Sequence, residues 1–186
     1  MKLQSINSHL QPYSILRKRK TTVAHAFASA LAPNDPFDQT VVLSALSDLE
    51  QDPNNLTCVY CGNPAQTWDH LTNLVRGGEL NGYGHQIGNL VPCCSACNSA
   101  KGAMEFERFI EQREGMSDDG KRALIAKLTA HQSRAKAINA TPQDEEERAL
   151  LATYRKIQND VVALLEEADS CAEQIRLHRQ KTLLNK

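Results

Sequence analysis

No stretch of this sequence is long and apolar enough to span a bilayer, which takes about 20 consecutive apolar residues, so no membrane partner is expected. No internal repeat or low-complexity tract is evident, which excludes solenoids and polar tails. The chain also lacks charge of one sign: its 21 Lys and Arg nearly balance 22 Asp and Glu, leaving a net charge of −1. A global basic signature for nucleic acid is therefore absent, and any such signature must be local.

One local signature exists. Apart from Lys2, the first 34 residues carry their charge in a single run, Arg17-Lys18-Arg19-Lys20, and the first acidic residue is Asp35. The run is a candidate phosphate contact; the plainer reading is a solvated basic loop. The small-residue stretch that follows, Val23 to Ala32, mimics a signal peptide. It is poor in leucine, interrupted by His25 and preceded by a long polar lead, so a short amphipathic helix is the better reading.

Four of the six cysteines form two C-x-x-C pairs, Cys58/Cys61 and Cys94/Cys97, separated by 32 residues. Disulfide frameworks of secreted chains spread their cysteines; two knuckles of this kind read as a tetrahedral four-thiolate zinc site in a reducing, cytoplasmic compartment. A redox-active C-x-x-C would need a thioredoxin-like βαβ context, which is missing. Cys93 adjoins the second pair but is out of knuckle spacing, and reads as a buried spare. The segment holds few large apolar residues, so the metal is expected to replace a core.

Three regions follow. Residues 1–55 read as a helical and basic segment, with helical spacing over Val41 to Leu49 between Pro36 and Pro53. Residues 56–103 are rich in Cys, Gly and Asn, with a strand over Thr67 to Leu71, a loop at Gly77-Gly78 and Asn81-Gly82, a returning strand over His85 to Val91 and a helix from Ser95. Residues 104–186 read as helical: Met104 to Arg113, then Ser117 (an N-cap) to about Ile138, then a helix capped at Thr141 and running to about residue 180. Leu150, Ile157, Leu164 and Cys171 recur every seven residues in that last helix, with Tyr154, Val161, Ala168 and Ile175 between them. The heptad suits a homodimer through this helix, or a fold-back onto the helix before it.

The polar residues of the middle region carry the chemistry. Asp69 and His70 sit on the first strand, Asn89 precedes the second knuckle, and Asn98 follows Cys97. If Asn98 lies in the first turn of a helix, its amide can face back toward Asp69. Asp and Asn oxygens suit magnesium or manganese rather than thiophilic zinc. Neighbouring strand residues alternate sides, however, so Asp69 and His70 share one site only if the backbone bends or the strand ends there.

At these residues the sequence resembles the HNH endonuclease family. The pattern stands in order as Cys58-Val59-Tyr60-Cys61, Asp69-His70, Asn89-Leu90-Val91-Pro92 and Cys94-Ser95-Ala96-Cys97-Asn98-Ser99-Ala100-Lys101-Gly102, over about residues 56–103. The resemblance implies an α+β, mainly helical chain holding a small ββα-metal unit, with His70 the general base, Asp69 and Asn98 ligands of a catalytic Mg²⁺ or Mn²⁺, and Asn89 bracing the loop. Asn98 stands where many members have His, making this an H-N-N variant. Metal-dependent hydrolysis of DNA follows, with RNA not excluded, and with Lys101, Arg76 and Arg17 to Lys20 as nucleic-acid contacts. Two other readings are a non-catalytic zinc-ribbon module and a helical oligomerisation protein. His85 reads as satisfying a backbone carbonyl rather than touching substrate, Trp68 as core rather than a base-stacking ring, and His9, His25, His131 and His178 as uninvolved.

Overall fold

The computed structural model describes residues 6–7, 10–138 and 142–184, so His9 and the expected cap Thr141 lie outside the described residues. The elements run α1 (Ile15–Ala30), α2 (Gln39–Asp48), β1 (Thr67–His70), β2 (Val75–Arg76), β3 (Glu79–Leu80), β4 (Leu90–Cys93), α3 (Ser95–Lys101), α4 (Phe106–Glu111), α5 (Asp118–Gln132) and α6 (Glu145–Leu184). The chain is mainly helical with a small sheet region. No helix among the described residues is long and apolar enough to cross a membrane.

Contacts divide the chain into Met1–Phe27 with Pro142–Lys186, and Ala28–Thr141. This differs from boundaries at 55 and 103, for a physical reason. The cysteine-rich segment is not coreless. Tyr60, Leu71, Val91 and the cysteines are buried together with Leu49, Phe106, Phe109, Ile110 and Leu128. Phe106, Phe109, Ile110 and Leu128 come from α4 and α5, which add apolar surface to the segment's own Tyr60, Leu71 and Val91. Each such side chain contributes roughly 1.5–3 kcal/mol on burial, so the metal supplements a core rather than replacing one. Tyr60 meets Phe109 edge-on, with ring centroids 5.1 Å apart.

β1 and β4 pair antiparallel, with Thr67 opposite Cys93, Trp68 opposite Pro92, Asp69 opposite Val91 and His70 opposite Leu90. Alternation then sorts the strand: Asp69 is buried, whereas Trp68 is exposed and His70 half-buried. The returning strand starts at Leu90, later than the apolar run suggests, because Ile87–Asn89 form a 3-10 turn that carries Asn89 inward. The two-residue strands β2 and β3, turned by Gly77-Gly78, form their own hairpin between β1 and β4. α3 follows β4 directly, its first turn capped by Cys94, whose sulfur accepts the Cys97 N–H at 3.4 Å. Ser117 caps α5 through Gly120 N–H. That helix stops at Gln132, short of Ile138, and the chain beyond it lies against the 82–88 loop: Ile138 N–H bonds Gly82 O at 2.7 Å.

In the other unit, α1 and α6 lie antiparallel. The Asp169 carboxylate accepts from Ser14 Oγ and from the free N–H groups of Ile15 and Leu16 at 2.7–3.0 Å. Those bonds hold its carboxyl below the ordinary carboxylate range. At the other end Tyr154 packs on Phe27 at 5.2 Å and donates to its carbonyl. The helix that α6 packs on is thus α1. Leu150, Ile157, Leu164 and Ile175 remain exposed. Asp144 accepts Glu147 N–H at the start of α6.

Candidate functional site

At one end of the β1–β4 hairpin, the sulfurs of Cys58, Cys61, Cys94 and Cys97 lie within 4.8 Å of one another. Cys61 and Cys94 sulfurs are 3.6 Å apart. A tetrahedral site with zinc–sulfur bonds of about 2.3 Å has edges of about 3.8 Å, so the geometry fits a metal ion such as zinc. The first knuckle closes because Gly62 takes φ 75°, which a side chain disfavours, and gives its N–H to Cys58 O. The second is built on the start of α3. Burial pushes the Cys61 thiol up and the Cys97 thiol to about 12. Thiols packed so closely ionise together only beside a cation. Arg113 donates to Cys97 Sγ at 3.3 Å and would offset part of the thiolate charge. Cys93 stands outside the cluster of four; its sulfur lies 3.8 Å from that of Cys58, and this hydrogen bond, with burial, raises it and keeps it protonated.

On the inward face of β1, Asp69 is committed to a buried network. Its Oδ2 accepts the Tyr60 hydroxyl at 2.8 Å, and the Lys101 ammonium stands 3.3 Å from both carboxylate oxygens. Lys101 also donates to His70 O at 2.8 Å. Burial raises the Asp69 carboxyl and the Lys101 charge opposes that rise. Burial and Asp69 push the Tyr60 hydroxyl far up, so it remains a donor. The Lys101 side chain is 0% exposed, so it is a buried counter-ion and not a phosphate contact. Tyr60 and Lys101 make three contacts to Asp69, and its carboxylate keeps a lone pair beyond them. Asn98 is half-buried on α3, and its amide makes no hydrogen bond among the described residues.

On the outward face His70 meets His85: His70 Nε2 and His85 Nδ1 are 3.1 Å apart. Burial, then the charges of His85 and Lys101, bring His70 down to about 4, so its ring is neutral at neutral pH and can accept a proton. Asn89, wholly buried, clasps the two segments that carry these histidines. It accepts Thr72 N–H at 2.8 Å and donates to Thr72 O and Gly84 O at 2.9 and 3.0 Å. Gly84 is required where His85 begins: a Cβ there would lie 1.8 Å from Pro33 O.

Arg76 on β2 pairs with Glu105 at 3.1 Å across an exposed surface. Arg17, Lys18, Arg19 and Lys20 are exposed on α1, in the other compact unit. Trp68 is not core; it is 45% exposed. His85 uses its ring on His70, not on a carbonyl. His131 is buried and its Nε2 bonds Leu90 O at 3.1 Å. Tyr60, Arg113 and His85 were not singled out as functional by pattern. Tyr60 sits inside the first knuckle and His85 is the only other histidine between the knuckles, which are the signals that could have found them.

Residues 58–104 match the HNH endonuclease family model. The HNH segment therefore spans the first knuckle, both sheet strands, the Asn89 clasp and α3. No curated protein and no solved structure matches the chain.

Proposed function

We propose that the chain is an HNH endonuclease of the H-N-N kind, hydrolysing phosphodiester bonds in DNA, with RNA as a lesser candidate. The observation that carries this is His70: a neutral imidazole on the outward face of β1, inside the HNH match, with one ring nitrogen held by His85. The other ring nitrogen is the base that takes a proton from water as the water attacks phosphorus. Asn89 keeps both histidine-bearing segments in place. Zinc on the four cysteines holds the hairpin at its far end.

Nucleases of this family use a divalent ion, which stabilises the charge developing on the phosphate. Asn98 supplies a hard oxygen, for which magnesium or manganese is the suited ion. Asp69 supplies a second through the lone pair left by its Tyr60 and Lys101 contacts. Arg76 and the run Arg17 to Lys20 are the candidate phosphate contacts, being exposed and cationic. The exposed Leu150, Ile157 and Leu164 stripe is the candidate homodimer seam. Free thiols throughout suit the cytoplasm.

A second reading, a zinc-stapled module that binds nucleic acid without cutting it, draws on the burial of Asp69 in an ion pair with Lys101. One experiment separates the two. Purified protein is incubated with supercoiled plasmid and with magnesium, manganese or neither. Metal-dependent nicking or linearisation supports the nuclease; retarded but intact plasmid under every metal supports the binding module.

A further inference from the structure

A cavity of about 320 Å³ opens on the same face of β1 as His70. Trp68 lines it, two residues before His70 and therefore on the same side of the strand. His85, the hydrogen-bond partner of His70, lines it as well. Most of the other walls are apolar, among them Phe37, Leu46 and Leu90. Phe37 is 84% exposed, so two aromatic rings flank the opening without covering it.

We propose that this cavity is a nucleobase subsite, holding one unstacked base of the nucleotide whose phosphate lies at His70. Two features select a base. The lining contains no lysine or arginine, and its one carboxylate, Asp35, is hostile to phosphate, so the charged backbone belongs outside. The rings are the platform that sequence-tolerant base stacking uses. Such a subsite gives the enzyme a preference for single-stranded, looped or frayed substrate, since a base in a duplex is stacked away from it.

The inference rests on the nuclease reading only for which phosphate the base flanks; base binding is measured without cutting. Trp68 is the sole tryptophan, so its fluorescence reports the cavity directly. Full-length protein, without added magnesium or manganese, is titrated with a short oligothymidine and with an abasic oligomer of equal phosphate number. The base-bearing strand should bind roughly tenfold or more tightly and should quench Trp68, the size expected of one stacked base. In fluorescence anisotropy, Trp68→Ala should abolish that preference and Trp68→Phe should keep most of it. Equal affinity for both strands, unchanged Trp68 emission, no binding of either strand, or a preference that survives Trp68→Ala overturns the subsite. Plasmid cutting without a base preference sinks the subsite and leaves the nuclease; a base preference without cutting does the reverse.

Discussion

The two faces of β1 are one residue apart in sequence and opposite in chemistry. Inward, Asp69 is buried with Tyr60 and a wholly buried Lys101, and every polar atom named there has a partner. Outward, His70 keeps one ring nitrogen unbonded among the described residues, beside an exposed His85, a half-exposed Trp68 and an apolar cavity. The inward face is satisfied and therefore structural; the outward face is unsatisfied and therefore available. An Asp-His pair on a strand need not be a single site. Here the aspartate fixes the strand through Lys101, and the same lysine holds the carbonyl of His70, so the inward face positions what the outward face presents.

The largest expected effect removes both faces together. Stripping the metal with a chelator, or replacing Cys97 with Ser, should abolish the cooperative melt of residues 28–141, since a structural zinc is worth about 10–16 kcal/mol in apparent binding free energy. Calorimetry with zinc quantitation checks this; an unchanged melt after the metal is gone would show that the α4–α5 core suffices.

A smaller effect separates the faces. Lys101→Met leaves Asp69 charged and unpaired in the interior, and should cost about 3–5 kcal/mol in denaturant unfolding. Adding Asp69→Asn to it should recover much of the loss. If Lys101→Met instead leaves stability intact and only weakens DNA binding, the inward face has been misjudged. Asn89→Ala tests the clasp. It removes three hydrogen bonds to Thr72 and Gly84 and leaves their buried partners unmet, at about 1–3 kcal/mol for each unsatisfied group. Cleavage should fall further than stability accounts for.

The smallest effect is with pH. His131 is lowered from 6.5 by burial; the Leu90 and Ile87 carbonyls and Asp48 raise it, and Arg134 lowers it. A histidine lowered in the folded state binds a proton more weakly there than unfolded, so stability is complete above pH 6.5 and declines as pH falls below it. His70 adds in the same direction. His131→Gln should flatten part of that decline in melts taken between neutral and mildly acid pH; a slope unaltered by the substitution would assign it elsewhere.

Much of this was legible in the residues. The knuckle spacing, the strand at Thr67 to His70 and the Ser117 cap are local signals, carried by ligand geometry, period-2 patterning and a single side chain. The geometric doubt about Asp69 and His70 was legible too, because alternation follows from the strand itself. What was not legible depends on residues far apart in the chain. Lys101 looked like a surface lysine because nothing local says that α3 returns its end to β1. Trp68 looked like core because no pattern reveals which face of a four-residue strand stays uncovered. The core from Phe106, Phe109, Ile110 and Leu128 lay beyond the motif, so the HNH segment looked emptier than it is.

The most direct measurement is single-turnover cleavage by His70→Gly, on zinc-loaded and folded protein, with and without added imidazole. A base at His70 predicts a loss of about 10²–10⁴ in rate, with wild-type melting and with activity restored in proportion to the imidazole supplied. Cleavage by His70→Gly at the wild-type rate would contradict the account, because the available face of β1 would then not be where the chemistry occurs.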